Sequence, residues 1–265
     1  MYARLMGYYL WQQLKVEWAH RANLVVGLLG QLFFTALSLT FIGSFLPRGA
    51  AVNGWDFWQI LFLVGLGDVT FGLNGIFVFR TFAGLNSLYI LQGRLDQVLT
   101  QPTPALFTLI LHNLNVVDLL IVLKGLAILV VAVAHLELGW SLGLAGKLLL
   151  IMAAGSITYG GILLSLASTG FWLKRKDSAV TALLSLNQLC QYPLALYPMA
   201  LQFFLSFLLP VAFASFYPAQ WILKKGGEGG LSMPLAAILA ASILCAGLAG
   251  MIFHAGLKRY SGAGS

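Results

Sequence analysis

Three ionisable residues stand inside long apolar runs: Asp68, Asp118 and Lys124. A charge within a bilayer costs about 2.5–3.5 kcal/mol on insertion scales, so it turns towards protein or water. Counted from the outer ends of their runs, Asp68 and Lys124 fall at similar depth and would pair if the two spans pack together. The plain reading is a structural ion pair. The sharper reading puts Asp68 on a substrate path. Proton coupling through Asp68 alone lacks a supporting Asp/Glu/His chain.

Other chemistry is sparse. Catalysis needs a nucleophile or acid within reach of a base, and no such constellation is legible. The four histidines are His20, His112, His135 and His254. None has a ligand-spaced partner such as HxxxH or HxxE, so no metal site is expected. Cys190 and Cys245 lie in apolar stretches and read as small packing residues. The octet Ser141 to Leu148, SLGLAGKL, imitates a phosphate-binding loop. It has Ser where the pattern needs the first glycine and Leu148 where it needs Ser or Thr. No ATP site and no cofactor are expected in this chain.

What must position these residues is a membrane bundle. The chain has 265 residues, 60% hydrophobic and 9% charged, with mean hydropathy +0.89. Soluble domains carry about 25% charged residues. The net charge of +7 is read as topology, since basic residues gather at the inner ends of spans and no basic run exceeds three residues. Nucleic acid is therefore not an expected partner. The N-terminus shows no short apolar core followed by a small-residue cleavage site. A span needs about 20 apolar residues. Candidates are Asn23 to Phe45, Phe57 to Phe79, Leu106 to Val133, Lys147 to Trp172 and Leu235 to Leu257. The third is over-long, which suggests tilt or a partly interfacial segment.

Between the fourth and last runs, residues 182–223 are apolar but broken by Pro193, Pro198, Pro210 and Pro218. Two layouts compete. A fifth span ends near Tyr197 and a re-entrant hairpin follows, or the second segment crosses fully and makes seven spans. The positive-inside count is the same for both. Either way the N-terminus is inside, because Lys174 to Asp177 (KRKD) and the Arg80 to Arg94 loop are the strongest inside markers.

Two inner segments read as helices on the surface. Residues 1–22 interleave Tyr, Trp and Leu with Arg4, Lys15, Glu17 and Arg21, an interfacial pattern. Gly84 to Thr100 places Leu85, Leu88, Leu91, Leu95 and Val98 every three or four positions, which marks one helical face. Pro102 ends that helix and Pro104 turns the chain into the next span. Lys224 to Gly230, KKGGEGG, reads as a flexible external turn.

Three motifs, in order along the chain, carry a family resemblance. Gly93 to Pro102, GRLDQVLTQP, is similar to the GxLDxxLxxP signature of permease subunits of ABC-2-type transporters. Gln191 to Pro198 (QYPLALYP) with Phe207 to Ala219 (FLLPVAFASFYPA) resembles a second stretch of a bacterial ABC-2 group of about this length. The Tyr-rich N-terminal helix leading to Arg21-Ala-Asn is a weaker third match. Ala195 departs from the small hydroxyl residue commoner in that group.

The resemblance implies an all-α polytopic bundle of one permease domain, residues 1–265. It implies six transmembrane helices with both termini inside, an interfacial helix at 1–22, a cytoplasmic coupling helix at 84–104 and an external re-entrant hairpin at 193–223. It implies a bacterial inner-membrane exporter whose ATP and Mg are handled by separate ATPase subunits, beside a second copy or a homologous permease and membrane lipid. A permease without an ATPase must receive mechanical work through an inner element. The expected element is the 84–104 helix, with Leu88, Leu91 and Leu95 seated in a motor groove, Arg94 and Asp96 at the rim, Gly93 opening it and Pro102 closing it. The sparse lining charge leans towards hydrophobic or amphipathic cargo. The alternatives are a proton-coupled secondary carrier using Asp68 and a non-transporting membrane scaffold.

Overall fold

A computed structural model describes residues 2–19, 21–45, 54–173, 192–225 and 233–260. Readings placed on His20, Arg48, Lys174 to Asp177, Cys190, residues 226–230 and most of the fifth span (182–191) lie outside the described residues. Within them the chain is all-helical, with no β-strand. Four helices are long and apolar enough to cross a membrane, or up to six if each of two bent pairs is one span.

Helix α1 (Tyr2–Ala19) and helix α2 (Arg21–Phe45) follow one another, their axes bent by 90°. The α1 surface carries exposed Tyr8, Trp11 and Trp18. Its start and middle rest on the first part of the expected third span, with Tyr2 edge-on to Phe107 at 5.0 Å and Tyr9 6.1 Å from His112. Helix α2 matches the first apolar run within two residues. Its Val25, Val26, Leu29, Phe33 and Phe34 are exposed.

Helix α3 (Phe57–Ile90) is 34 residues long. It starts on a capping box: Asp56 Oδ1 accepts from the Gln59 amide at 2.8 Å, and Gln59 Oε1 accepts from the Asp56 amide at 3.1 Å. The sequence pattern ended this span at Phe79 and began a separate amphipathic helix at Gly84. The helix instead runs on, absorbing two π-turns at Gly75–Phe79 and Leu85–Ile90. It breaks at Leu91–Gly93, where Gly93 takes a left-handed conformation (φ 71°) that favours glycine. Helix α4 is then only Arg94–Leu99. It stops on the Thr100 cap, two residues before Pro102, with Thr100 Oγ1 donating to the Gln97 carbonyl at 2.9 Å.

The expected third span is also divided. Helix α5 (Ala105–His112) stops at Asn113, and helix α6 (Val116–His135) follows. Two asparagines make the break. Asn113 Nδ2 donates to the Tyr89 hydroxyl (2.6 Å) and to the Leu109 carbonyl (2.8 Å). The Asn115 side-chain oxygen accepts from the amide of Val117, while the Asn115 backbone N–H donates to Ile76 O at 3.0 Å. Polar side chains that offer backbone groups a local partner end helices in this way.

Helices α3 and α6 pack closely. A Cβ at Gly125 would fall 2.8 Å from Val69 N, and one at Gly65 2.9 Å from Leu129 Cγ, so only glycine lets the backbones approach this far. Helix α7 (Leu142–Leu173) begins on Ser141, whose Oγ accepts from Leu144 N at 3.1 Å. Helix α10 (Leu235–Arg259) packs along it, with Gly161 against the backbone of Cys245. Between them lie α8 (Met199–Leu208) and α9 (Val211–Ile222), bent by 76° at Leu209–Pro210.

The ends of the bundle sort consistently. Trp58, at the start of α3, stacks on His135, at the end of α6, with centroids 3.6 Å apart. Lys147 lies over the Trp221 ring, and Lys225 over the Trp55 ring. This is the Trp58 end. The Gly93 break, α4, Phe171 and Tyr260 form the opposite, Asp96 end.

Candidate functional site

The 91–104 elbow joins two apolar stretches, and its side chains divide between inside and outside. Leu95 (0% exposed) and Val98 (2%) are buried in the hydrophobic core. Leu88 (37%) and Leu91 (43%) are exposed, as are Arg94, Asp96 and Pro102. The single apolar face read from the heptad-like spacing is therefore split by the Gly93 turn. Leu95, expected on the docking face, is corrected to a core anchor of α4, while Leu88 and Leu91 lie on the α3 side of the break. Pro104 supplies the cap of α5, where its missing N–H costs nothing, and Thr108 is hydrogen-bonded to Thr103 (2.5 Å).

The elbow is braced from within. Asn86, in the last turn of α3, packs against Gly170, and Phe171 packs against Gly256 of α10. Phe171 also meets Phe253 at 6.0 Å and Tyr260 at 6.4 Å, both edge-on. The Tyr260 hydroxyl is buried and makes no hydrogen bond. Burial first, and then the negative Asp96, push the Tyr260 phenol above its usual range, so it stays a neutral donor. Sequence spacing carried no signal for Tyr260 or Phe171, since nothing in a single sequence joins residue 96 to residue 260.

The intramembrane charges do meet. Lys124 Nζ lies 3.1 Å from Asp68 Oδ2 and donates to Gln31 Oε1 of α2 at 3.4 Å. Gln31, a long polar side chain in a largely apolar span, is a signal that the sequence carries. Asp118 stands apart from this pair. It accepts from Asn115 Nδ2 at 2.8 Å, packs against Gly75, and has Arg80 as a nearby cation.

The four prolines act locally. Pro193 precedes the 3-10 turn Leu194–Leu196, Pro198 caps α8 and Pro210 sits at the bend. Pro218 falls in the first turn of the Phe216–Ile222 helix, where an N–H would have no partner. The two arms are tied by Ser206 and Tyr217, whose hydroxyls are 2.7 Å apart. Ala214, just past the bend, reaches the middle of α3 and α7: Thr70 Oγ1 donates to its carbonyl at 3.3 Å and Gly155 packs against it.

Among the described residues no group of three His, Cys, Asp or Glu could hold a metal ion. The arrangement offers packing, one buried ion pair and an exposed elbow on a braced support. Residues 32–264 match the family model described as "ABC-2 family transporter protein". The chain belongs to the ABC-2 transporter family: it is a multi-pass membrane protein and a permease component of an ABC transporter, which implies an ATPase partner. No curated protein and no solved structure matches the chain.

Proposed function

We infer that this chain is the permease subunit of a bacterial inner-membrane exporter driven by separate ATPase subunits, and that the elbow around Gly93 receives their work. The observation that carries this is the division of the elbow. Leu95 and Val98 anchor it in the core, while Leu88, Leu91 and Arg94 remain outside. An element rigidly held on one side and half-apolar on the other suits helix-in-groove docking. It connects α3 directly to α5 and α6, so displacement there would tilt two spans together.

In this reading the Asp96 end is cytoplasmic and both termini lie on that side. Among the described residues the crossings are α2, α3, α6, α7 and α10. The bent pair α8–α9 then enters and leaves from the Trp58 side. A second copy or a homologous permease completes the pathway, and the cargo is hydrophobic or amphipathic and moves outward. The Asp68–Lys124 pair fits a structural role, because an aspartate already neutralised by a lysine is a poor carrier of a single proton. That weighs against the secondary-carrier reading.

The test is co-purification of the ATPase subunit. Leu91→Asp and Arg94→Glu should each abolish it while leaving the permease folded. Retention of the ATPase by both variants would refute docking through this elbow.

A further inference from the structure

Helix α2 is a span with little to hold it. Among its described residues none is buried. Val26, Leu29, Phe33 and Leu37 are exposed. The half-buried positions Leu24, Gly27, Gln31, Thr35 and Ser38 form one stripe at helical spacing. That stripe has few side chains that interlock with a neighbour. A Cβ at Gly27 would meet only Val117 Cγ1 of α6, at 3.9 Å, and Thr35 Oγ1 turns back to the Gln31 carbonyl of its own helix at 2.7 Å. Lipid supplies no hydrophobic drive between helices, so packing and interhelical hydrogen bonds decide where a span sits. The polar contact on this stripe is Gln31 Oε1, which accepts from Lys124 Nζ of α6 at 3.4 Å. Lys124 is itself held, 3.1 Å from Asp68 Oδ2 of α3. An ammonium has three N–H groups to donate, so one lysine serves both acceptors.

We propose that Gln31 is a positioning residue: through Lys124 it fixes the rotation and depth of α2 against α3 and α6, so that α2 follows when the elbow tilts those two spans. This rests on the coupling role inferred above. The three side chains come from three spans, and Lys124 touches both of the others. Any other rotation of α2 turns the Gln31 amide into hydrocarbon, where a polar group without a partner is costly. The rest of the stripe is mostly small, and small residues permit close approach without fixing one rotation. Removing the amide removes the penalty for turning, and α2 then loses its single preferred orientation. The Asp68–Lys124 pair keeps its structural role in this account and gains a second one, as the mount to which α2 is tied.

The test uses spin labels at Leu37→Cys on α2 and Leu244→Cys on α10, both exposed, in a Cys190→Ser/Cys245→Ser background. Helix α10 packs on α7 through Gly161 and serves as the reference. The pair distance is measured first on the chain alone, then in complex with its ATPase with and without vanadate-trapped ATP. The parent should show one narrow distance in the chain alone and a shifted one on trapping. Gln31→Leu should broaden the distribution in the chain alone and lose the shift, with the ATPase still bound. Gln31→Glu keeps an acceptor for Lys124 and should match the parent in both, which guards against a defect peculiar to Gln31→Leu. A Gln31→Leu distribution as narrow as the parent's would overturn the positioning role. A broadened distance that still shifts on trapping as the parent's does, or a parent that shows no shift, would overturn the relay to α2. Failure of any ATPase to bind the parent would instead overturn the proposed function, with the chain-alone distances still deciding whether Gln31 positions α2.

Discussion

Asp68 and Lys124 were legible as a pair from depth alone, and the 3.1 Å contact bears that out. Removing one partner of a buried pair leaves the other charge uncompensated and costs about 3–5 kcal/mol, whereas replacing both with apolar groups is often near neutral. Lys124→Met should therefore lower the unfolding midpoint in detergent sharply, and Asp68→Leu/Lys124→Met should recover most of the loss. A double variant as unstable as the single one would contradict a purely structural pair. Glycines make a second residue-scale contrast. Gly125→Ala forces a methyl against Val69 N and Gly65 O, so it should destabilise by roughly 1–3 kcal/mol. Gly247 has nothing within 4 Å of its added Cβ, so Gly247→Ala should leave the midpoint unchanged or slightly raised. Only packing tells a close approach from an open face.

At the scale of elements, helix ends defined by composition were read well: α2 and α10 match their apolar runs within two residues at each end. Helix breaks were not. The periodicity of Leu85, Leu88, Leu91, Leu95 and Val98 suits one continuous helix, but Gly93 turns left-handed and splits the row between two helices. Likewise Asn113 and Asn115 stop α5 by hydrogen-bonding to Tyr89 and capping Val117. The partner Tyr89 is distant in sequence, so a window of hydropathy cannot see it. This division gives the elbow its sharpest test. Leu95→Asp buries a charge in the core and should destabilise the whole permease. Leu91→Asp should leave thermal stability within about 0.5 kcal/mol, as surface changes do, and lose the ATPase. If both variants unfolded alike, the elbow would be core rather than docking surface.

For the whole molecule, the membrane class follows from composition, and the family from motifs spread along nearly the full chain, which the match over residues 32–264 bears out. In the proposed function this chain supplies the path and a separate ATPase subunit the energy. The long-range contacts that join the end of α3 to α10 through Gly170 and Phe171 were beyond sequence reading, because they are set by how helices converge at one end.

The most direct measurement is a pull-down of this protein, expressed at native level, in mild detergent, followed by mass spectrometry and an ATPase assay. A separate ATP-hydrolysing subunit should be recovered, and should be lost with Leu91→Asp. A clean preparation with no ATPase, from a folded permease, would contradict it and return Asp68 to the centre of a secondary-carrier mechanism.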